Sequence, residues 1–407
     1  MITSIAWKNV WRNKTRSLVV IFAVIFGMFG GIFSSAVMTG MVELRIKKAL
    51  QNEVPHILIR HKDFVANKEL KYYINNADSI IEIVKGVEGV KNCSRRTDII
   101  AMANTAKAAS GVMVFGVDTM LEKKVCMLYK TICDTCGNYL TKSNQIVIGK
   151  RLASKIKAKV KSKIVLTLQS TDGNLTGGVF RVAGIFETKN AAFDEGNVYL
   201  LNSSLCNLIN FDENNAHEIS VMIKNLEELD NIQASIKAKL PNNYEVVTWK
   251  QLQPETAGMS DMMDVMLYIT IGIILLALGF GIINTMLMAV LERVKELGML
   301  MAIGMNKLKV FKMIMFETIM LTLTGGAIGL IVTYFIVLYY GHVGLDLGFL
   351  GNGYEAFGFD SVINPKLDGE FYFVVTILVI LTGVLASIYP ALKALKLNPV
   401  EAIRADN

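Results

Sequence analysis

Histidine, cysteine and proline are scarce in this chain of 407 residues, at four, five and six. So few histidines leave almost no bases or ligands for hydrolytic or metal-centred catalysis. His56 and His61 flank a strand at an odd spacing, which points them to opposite faces and reads as two ordinary surface histidines. The loop G-x-x-x-x-G-K-[ST] is missing, which excludes Walker-type ATP binding by the chain itself. Missing too are the G-x-S-x-G elbow and the H-E-x-x-H helix. No basic cluster with interleaved aromatics occurs, so nucleic acid is not an expected partner. Cys133 and Cys136 form a C-x-x-C, yet no second pair lies at zinc-finger spacing and no metal site is expected. A disulfide, two free thiols and a redox pair all stay open for them.

What is plentiful is apolar sequence. Hydrophobic residues make up 52% and charged residues 19%, and mean hydropathy is +0.42. The excess is concentrated in runs long enough to span a bilayer, which takes about 20 residues. They predict four spans, at 18–42, 263–290, 310–340 and 371–395. The first run is too long for the apolar region of a cleaved signal peptide, so it reads as a retained span.

Lys and Arg in the short flanks set the orientation. Residues 1–17 hold Lys8, Arg12, Lys14 and Arg16 and no acid. The 291–309 loop adds Arg293, Lys295, Lys307 and Lys309, and the C-terminal end adds Lys393, Lys396 and Arg404. The 341–370 loop has only Lys366 against Asp346, Glu355, Asp360, Asp368 and Glu370. Both termini and the 291–309 loop are therefore expected in the cytoplasm. Segment 43–262 and the 341–370 loop are expected outside, although Arg45, Lys47 and Lys48 locally oppose this. The net charge of +7 follows from cytoplasmic anchoring plus a lysine-rich outer domain.

Residues 1–17 read as an amphipathic helix on the cytoplasmic leaflet. Trp7, Val10 and Trp11 fall on one face; Lys8, Arg12 and Lys14 face water and headgroups. The outer segment opens with strand-like HILIR, helical NADSIIEIVKGVEGV and strand-like DIIAMA. The same order returns as EISVMIK, NLEELDNIQASIKAKL and YEVVTW. Two such units predict a ferredoxin-like α+β lobe over 43–111 and 215–262. The intervening 112–214 reads mostly as short strands, a β-rich inserted lobe.

Within the spans, Asn284 and Glu317 are costly in lipid unless paired. Asn284 suits interhelical hydrogen bonding and Glu317 headgroup-level snorkelling, or both belong to a moving interface. Gly325, Gly326 and Gly329 allow close helix packing. Met259, Met262, Met263 and Met266 form an adaptable stripe that is either core or a surface for acyl chains.

The stretch LERVKELGMLMAIG carries Leu291, Val294, Leu297 and Met301 on one helical side and charges on another. It reads as a rigid charged helix continuous with the second span. Gly298 and Gly304 permit close approach or a turn. NTMLMAVLERVKELGMLMAIG resembles the signature of the MacB/FtsX/LolCE-type ABC transporter permeases. The entry and first span IAWKNVWRNKTRSLVVIFAVIFG and the ending YPALKALKLNPVEAIRAD resemble the same family. VFRVAGIFETKNAAFDEGNVYLL resembles its lipoprotein-releasing branch, LolC/LolE. KVKSK stands where many relatives carry Gly-Asp, and the CDTC pair is not a family feature.

The resemblance implies four spans, a large outer domain and a dimer of permeases, with the same or a different second subunit. It implies a pair of separate ABC ATPases that use ATP and Mg, while this chain binds no cofactor and catalyses nothing. Glu292, Arg293, Lys295, Glu296, Leu297, Gly298 and Gly304 are then the ATPase-coupling segment. Trp7, Trp11 and Arg12 hold the membrane interface. Nucleotide-driven motion would be transmitted to the periplasmic domain. The leading expectation is extraction of lipoproteins, or other lipophilic cargo, from the inner membrane for a periplasmic carrier. Acyl chains would sit between the first and second spans. The alternatives are MacB-like tripartite efflux through an adaptor, and FtsX-like regulation of a cell-wall hydrolase.

Overall fold

The computed structural model describes residues 11, 12, 14–64, 69–348 and 362–395. Trp7, the 396–407 tail and most of the 341–370 loop lie outside them. The chain divides into two compact units. A membrane unit comprises Met1–Val42, Asp261–Asp346 and Val362–Asn407. An α/β unit comprises Glu43–Ser260 and Leu347–Ser361.

The first helix, α1 (Lys14–Lys48), ends inside the α/β unit. It widens into a π-turn over Ala49–Glu53, where the Val54 N–H donates to the Ala49 carbonyl at 2.9 Å. There follow β1 (Ile57–His61), α2 (Ala77–Lys85) and β2 (Val90–Asn104). At the far end of the unit lie β9 (Glu218–Ile223), α7 (Leu229–Lys239) and β10 (Tyr244–Thr248). The strands run β10-β1-β9-β2 with antiparallel neighbours, the ferredoxin-like order. Ile80, Ile81 and Val84 of α2 and Ile232 and Ile236 of α7 share one core with Ile57, Ile59, Ile219 and Val221.

Between these halves come β3 (Ala109–Val117), α3 (Thr119–Val125), β4 (Ile132–Gly137), β5 (Gln145–Gly149) and α4 (Lys150–Lys155). Then follow β6 (Lys163–Gln169), β7 (Leu175–Phe186), α5 (Ala191–Gly196), β8 (Asn197–Leu201) and α6 (Asn202–Ile209). The strands pair as β2-β3-β8-β5-β7-β6, and β6 returns to β2. The inserted lobe is thus a closed barrel, which removes free edges from those strands. Alternate residues fill it, such as Val112 and Val114 of β3 and Ile164, Leu166 and Leu168 of β6.

Two expectations change here. The boundary at 111/112 falls inside β3, and β2 belongs to both lobes: Val90–Arg96 pairs with β9 and Arg96–Asn104 with β3. The insert also holds the short helices α3 to α6, whose apolar faces cover strands and carry too few turns to show a helical period.

The membrane unit contains α1, α8 (Pro254–Glu292), α9 (Val294–Ala302), α10 (Lys307–Val343) and α11 (Gly369–Leu395). Four of its helices are long and apolar enough to cross a membrane. Each runs past its apolar stretch, because backbone hydrogen bonding does not stop where hydropathy does. Glycines set the closest approach. A Cβ on Gly325 would stand 2.9 Å from Val24 Cβ and 3.0 Å from the Ile21 carbonyl oxygen, and one on Gly329 3.2 Å from Ile25 Cα. Facing larger residues, α1 and α10 could not pack at this separation.

Candidate functional site

The stretch 291–304 departs from the expected continuous helix. α8 ends at Glu292, and Arg293 (φ −106°, ψ 19°) leaves helical geometry and precedes α9. Side-chain pairing accounts for the break. Arg293 Nη1 donates to Glu317 Oε1 at 3.2 Å, and Glu317, for which headgroup-level snorkelling was one of two expectations, is 4% exposed on α10. A carboxylate at that depth is tolerable because a guanidinium meets it. α9 closes at Gly304, whose φ of +100° belongs to a left-handed turn that suits glycine. Asn306 then caps α10, its side chain accepting from the Leu308 N–H at 3.1 Å.

A second ion pair reaches α9 from the N-terminal side. Arg12 pairs with Glu296, and both are about half exposed. Arg12 was expected to face headgroups and Glu296 a partner protein; the structure brings them together. Between the two pairs lies a cavity of about 220 Å³ lined by the four charged residues with Met286, Val290, Leu297 and Met313. Two ion pairs tie the nine-residue α9 to its neighbours, Glu296 to Arg12 just ahead of α1 and Arg293 at its base to α10.

The remaining candidates scatter around it. Glu292 and Lys295 are exposed, Leu297 and Gly298 are buried, and Gly304 is exposed with open space beside it. Trp11 is exposed. Asn284 is exposed, and its side chain makes no interhelical hydrogen bond among the described residues. Met259, Met262 and Met266 are exposed, and Met263 is half-buried.

In the α/β unit the structure shows a residue that sequence reasoning missed. Glu53, in the π-turn, is buried and accepts from Arg45 at 2.7 Å and 3.1 Å. It also accepts from Asn190 Nδ2 at 2.8 Å and Gln253 Nε2 at 3.0 Å. Asn190 caps α5 in the inserted lobe, and Gln253 immediately precedes α8. One carboxylate thus joins the end of α1, the start of α8 and the barrel. The available signal was Arg45 itself, a cation on the wrong side of the charge rule, which has a private partner.

Other buried polar groups serve the fold. Arg96, where β2 changes lobes, pairs with Glu122 of α3. Burial works against the Arg96 charge, but Glu122 outweighs it and holds the guanidinium well above its ordinary value. His56 is buried rather than on the surface; its Nδ1 accepts from the Ile223 N–H at 3.2 Å, and burial lowers its pKa to about 4. Cys93, Cys126 and Cys206 are buried free thiols that burial pushes up to about 11. Cys133 and Cys136 are joined by a disulfide.

A family model described as FtsX-like permease C-terminal matches residues 268–399. The chain is 27% identical over 232 residues to an uncharacterized ABC transporter permease of Methanocaldococcus jannaschii, covering 56% of this chain and 55% of that one. It is 28% identical over 201 residues to the macrolide export ATP-binding/permease protein MacB of Brucella abortus, covering 46% and 31%. It is 22% identical over 371 residues to the lipoprotein-releasing system transmembrane protein LolC of Buchnera aphidicola, covering 89% and 87%. The chain thus spans about half the length of the first and about a third of MacB. The matched residues 268–399 hold most of α8 and all of α9 to α11, with Arg293, Glu296 and Glu317 of the broken-helix site. Beyond that segment the chain is similar to ABC transporter permeases, LolC along most of its length.

Proposed function

We propose that this chain is the membrane subunit of an ATP-driven lipoprotein-releasing machine in the inner membrane. A separate ABC ATPase dimer uses ATP and Mg at its cytoplasmic side, a second permease subunit completes the membrane part, and a soluble carrier receives the cargo outside. The observation that carries this reading is the match to LolC, which extends over 89% of this chain and therefore includes the α/β unit.

The geometry supplies a route for the stroke. Closure of the ATPases pushes α9. Arg12 and Arg293 pass the displacement to α1 and α10, since an ion pair resists being pulled apart when partly desolvated. α1 continues without a break as far as Lys48, where the π-turn and Glu53 hand the motion to the barrel through Asn190. The exposed Met262 and Met266 offer acyl chains an adaptable surface near the start of α8.

The test is mass spectrometry of what co-purifies with the chain from its own membranes, with and without Glu292→Lys. An ATPase lost in the variant, together with acylated lipoproteins held by the wild type, supports the reading. MacB-like efflux is the second reading, favoured by the higher identity to MacB, 28% against 22%. An adaptor and an outer-membrane channel in place of lipoproteins would establish it. Absence of any ATPase would sink the coupling role of α9.

A further inference from the structure

The net charge of the chain, +7, is matched by one segment. KRLASKIKAKVKSK, residues 150–163, has seven cations and no acid, so the other residues balance to zero. Anchoring to the cytoplasmic face does not explain this segment, which lies in the inserted lobe of the α/β unit.

The fold directs these charges outward together. Ile156 and Ala158 are buried at 0% and 7% in the barrel core, so the alternating Lys155, Lys157 and Lys159 face solvent. Two lysines hold left-handed backbone, Lys157 at φ 53° and Lys161 at φ 71°. Glycine or asparagine adopts that conformation with less strain, so cations occupy these turns against local backbone preference.

The segment forms one wall of a concave groove of about 550 Å³. Lys107, Lys150, Lys157 and Lys159 line it together with Glu187, the Cys133–Cys136 disulfide and Ile185. Only Lys150 has an acid partner, Glu187 at 2.8 Å. Lys107, Lys157 and Lys159 make no ion pair among the described residues. The disulfide closes a bulge in β4, the edge strand beyond β7, and so gives that part of the lining a fixed shape.

We propose that this groove is a docking site for an acidic peptide segment of a protein partner. Three cations with no acid partner among the described residues call for the carboxylates of an acidic segment. Concavity selects a peptide over a bilayer surface, which meets cations best on a flat or convex face. The proposal is independent of the cargo and of the ATPase.

The test uses the full chain in detergent micelles and fluorescence anisotropy of a labelled peptide of about eight glutamates, at low salt and at about 0.5 M salt. Binding should weaken about tenfold or more in Lys107→Gln/Lys157→Gln/Lys159→Gln and in high salt. It should persist in the control Lys224→Gln/Lys237→Gln/Lys239→Gln, which removes the same charge elsewhere on the unit. All six side chains are exposed, so both variants should melt with the wild type. Equal weakening in both variants would reduce the effect to net charge and overturn the proposal. So would failure of the peptide to bind. Retention of phosphatidylglycerol vesicles by the same lysines, without peptide binding, would replace the peptide with a membrane surface.

Discussion

The two units handle buried charge in opposite ways. In the α/β unit, Arg45–Glu53 and Arg96–Glu122 sit in protein interior with every partner 7% exposed or less. Among the described residues of the membrane unit, two pairs gather at the α9 end, one largely buried and one half exposed. Water-soluble folds can bury a charge anywhere that hydrogen bonds converge. A bundle in lipid has no such freedom, and it places its charges where its helices end. Stability should therefore depend on the pairs of the α/β unit, and motion on those of the membrane unit.

The largest expected effect tests the first half of that contrast. Glu53→Ala leaves Arg45 buried and unpaired and should cost about 3–5 kcal/mol in denaturant unfolding of the α/β unit. The double change Arg45→Met/Glu53→Met removes the stranded charge but leaves the amides of Asn190 and Gln253 without their acceptor, so it should recover part of the loss. If the double variant is as unstable as the single, packing rather than charge explains the site. If it is stable yet uncouples ATP hydrolysis from cargo release, Glu53 carries motion as well.

Acid should find the α/β unit next. His56 and His217 both have pKa values lowered to about 4, chiefly by burial. His217 stacks between Phe64 and Phe211 at 5.1 Å and 4.8 Å. Unfolded, each binds a proton near 6.5, so the unfolded state takes up more protons between these values and stability falls as pH drops through that window. At pH 5 the loss is about 2 kcal/mol per histidine. Asp194 opposes it: burial raises its carboxyl to about 6, so its contribution is present at low pH and is lost as pH rises through 6. The midpoint of thermal unfolding, followed from pH 7 to 5, should fall, and His56→Gln should flatten the slope. A flat wild-type profile would contradict the assignment.

In the membrane unit glycine takes the place of buried charge. Gly325→Leu should push α1 from α10 and cost about 1–3 kcal/mol in detergent, the usual penalty for overpacking. Gly272→Ala, with nothing within 4 Å of its Cβ position, should be neutral or better. Equal effects would mean that the α1–α10 contact does not set the bundle.

How much of this could be read beforehand differs between the units for the same reason. The spans were legible because hydropathy over twenty residues is a strong signal. QIVIG and NVYLL coincide with β5 and β8, since short strands between turn residues show themselves. Barrel closure was not legible, because the pairing of β6 with β2 joins strands that are far apart in sequence. The α9 site was found through its charge order, but the break at Arg293 was not. It depends on Glu317, twenty-four residues away, and on no local helix-breaking residue. Glu53 escaped entirely, because a hub is defined by what converges on it.

The smallest effect on stability discriminates best between holding and moving. Arg12 and Glu296 are 54% and 48% exposed, a regime in which ion pairs are worth about 0–1 kcal/mol. Arg12→Ala should therefore melt with the wild type. If the pair transmits the stroke, the same variant should still recruit the ATPase and hydrolyse ATP, yet release less cargo per ATP, because α9 would move without drawing α1 with it. Arg12→Lys keeps one charge–charge contact but loses the guanidinium fork, and should fall between the two. Wild-type release by Arg12→Ala would shift the coupling to Arg293–Glu317 and the packing of Leu297. Release restored by the exchange Arg12→Glu/Glu296→Arg would show that the contact itself, and not either residue's place on a partner, does the coupling.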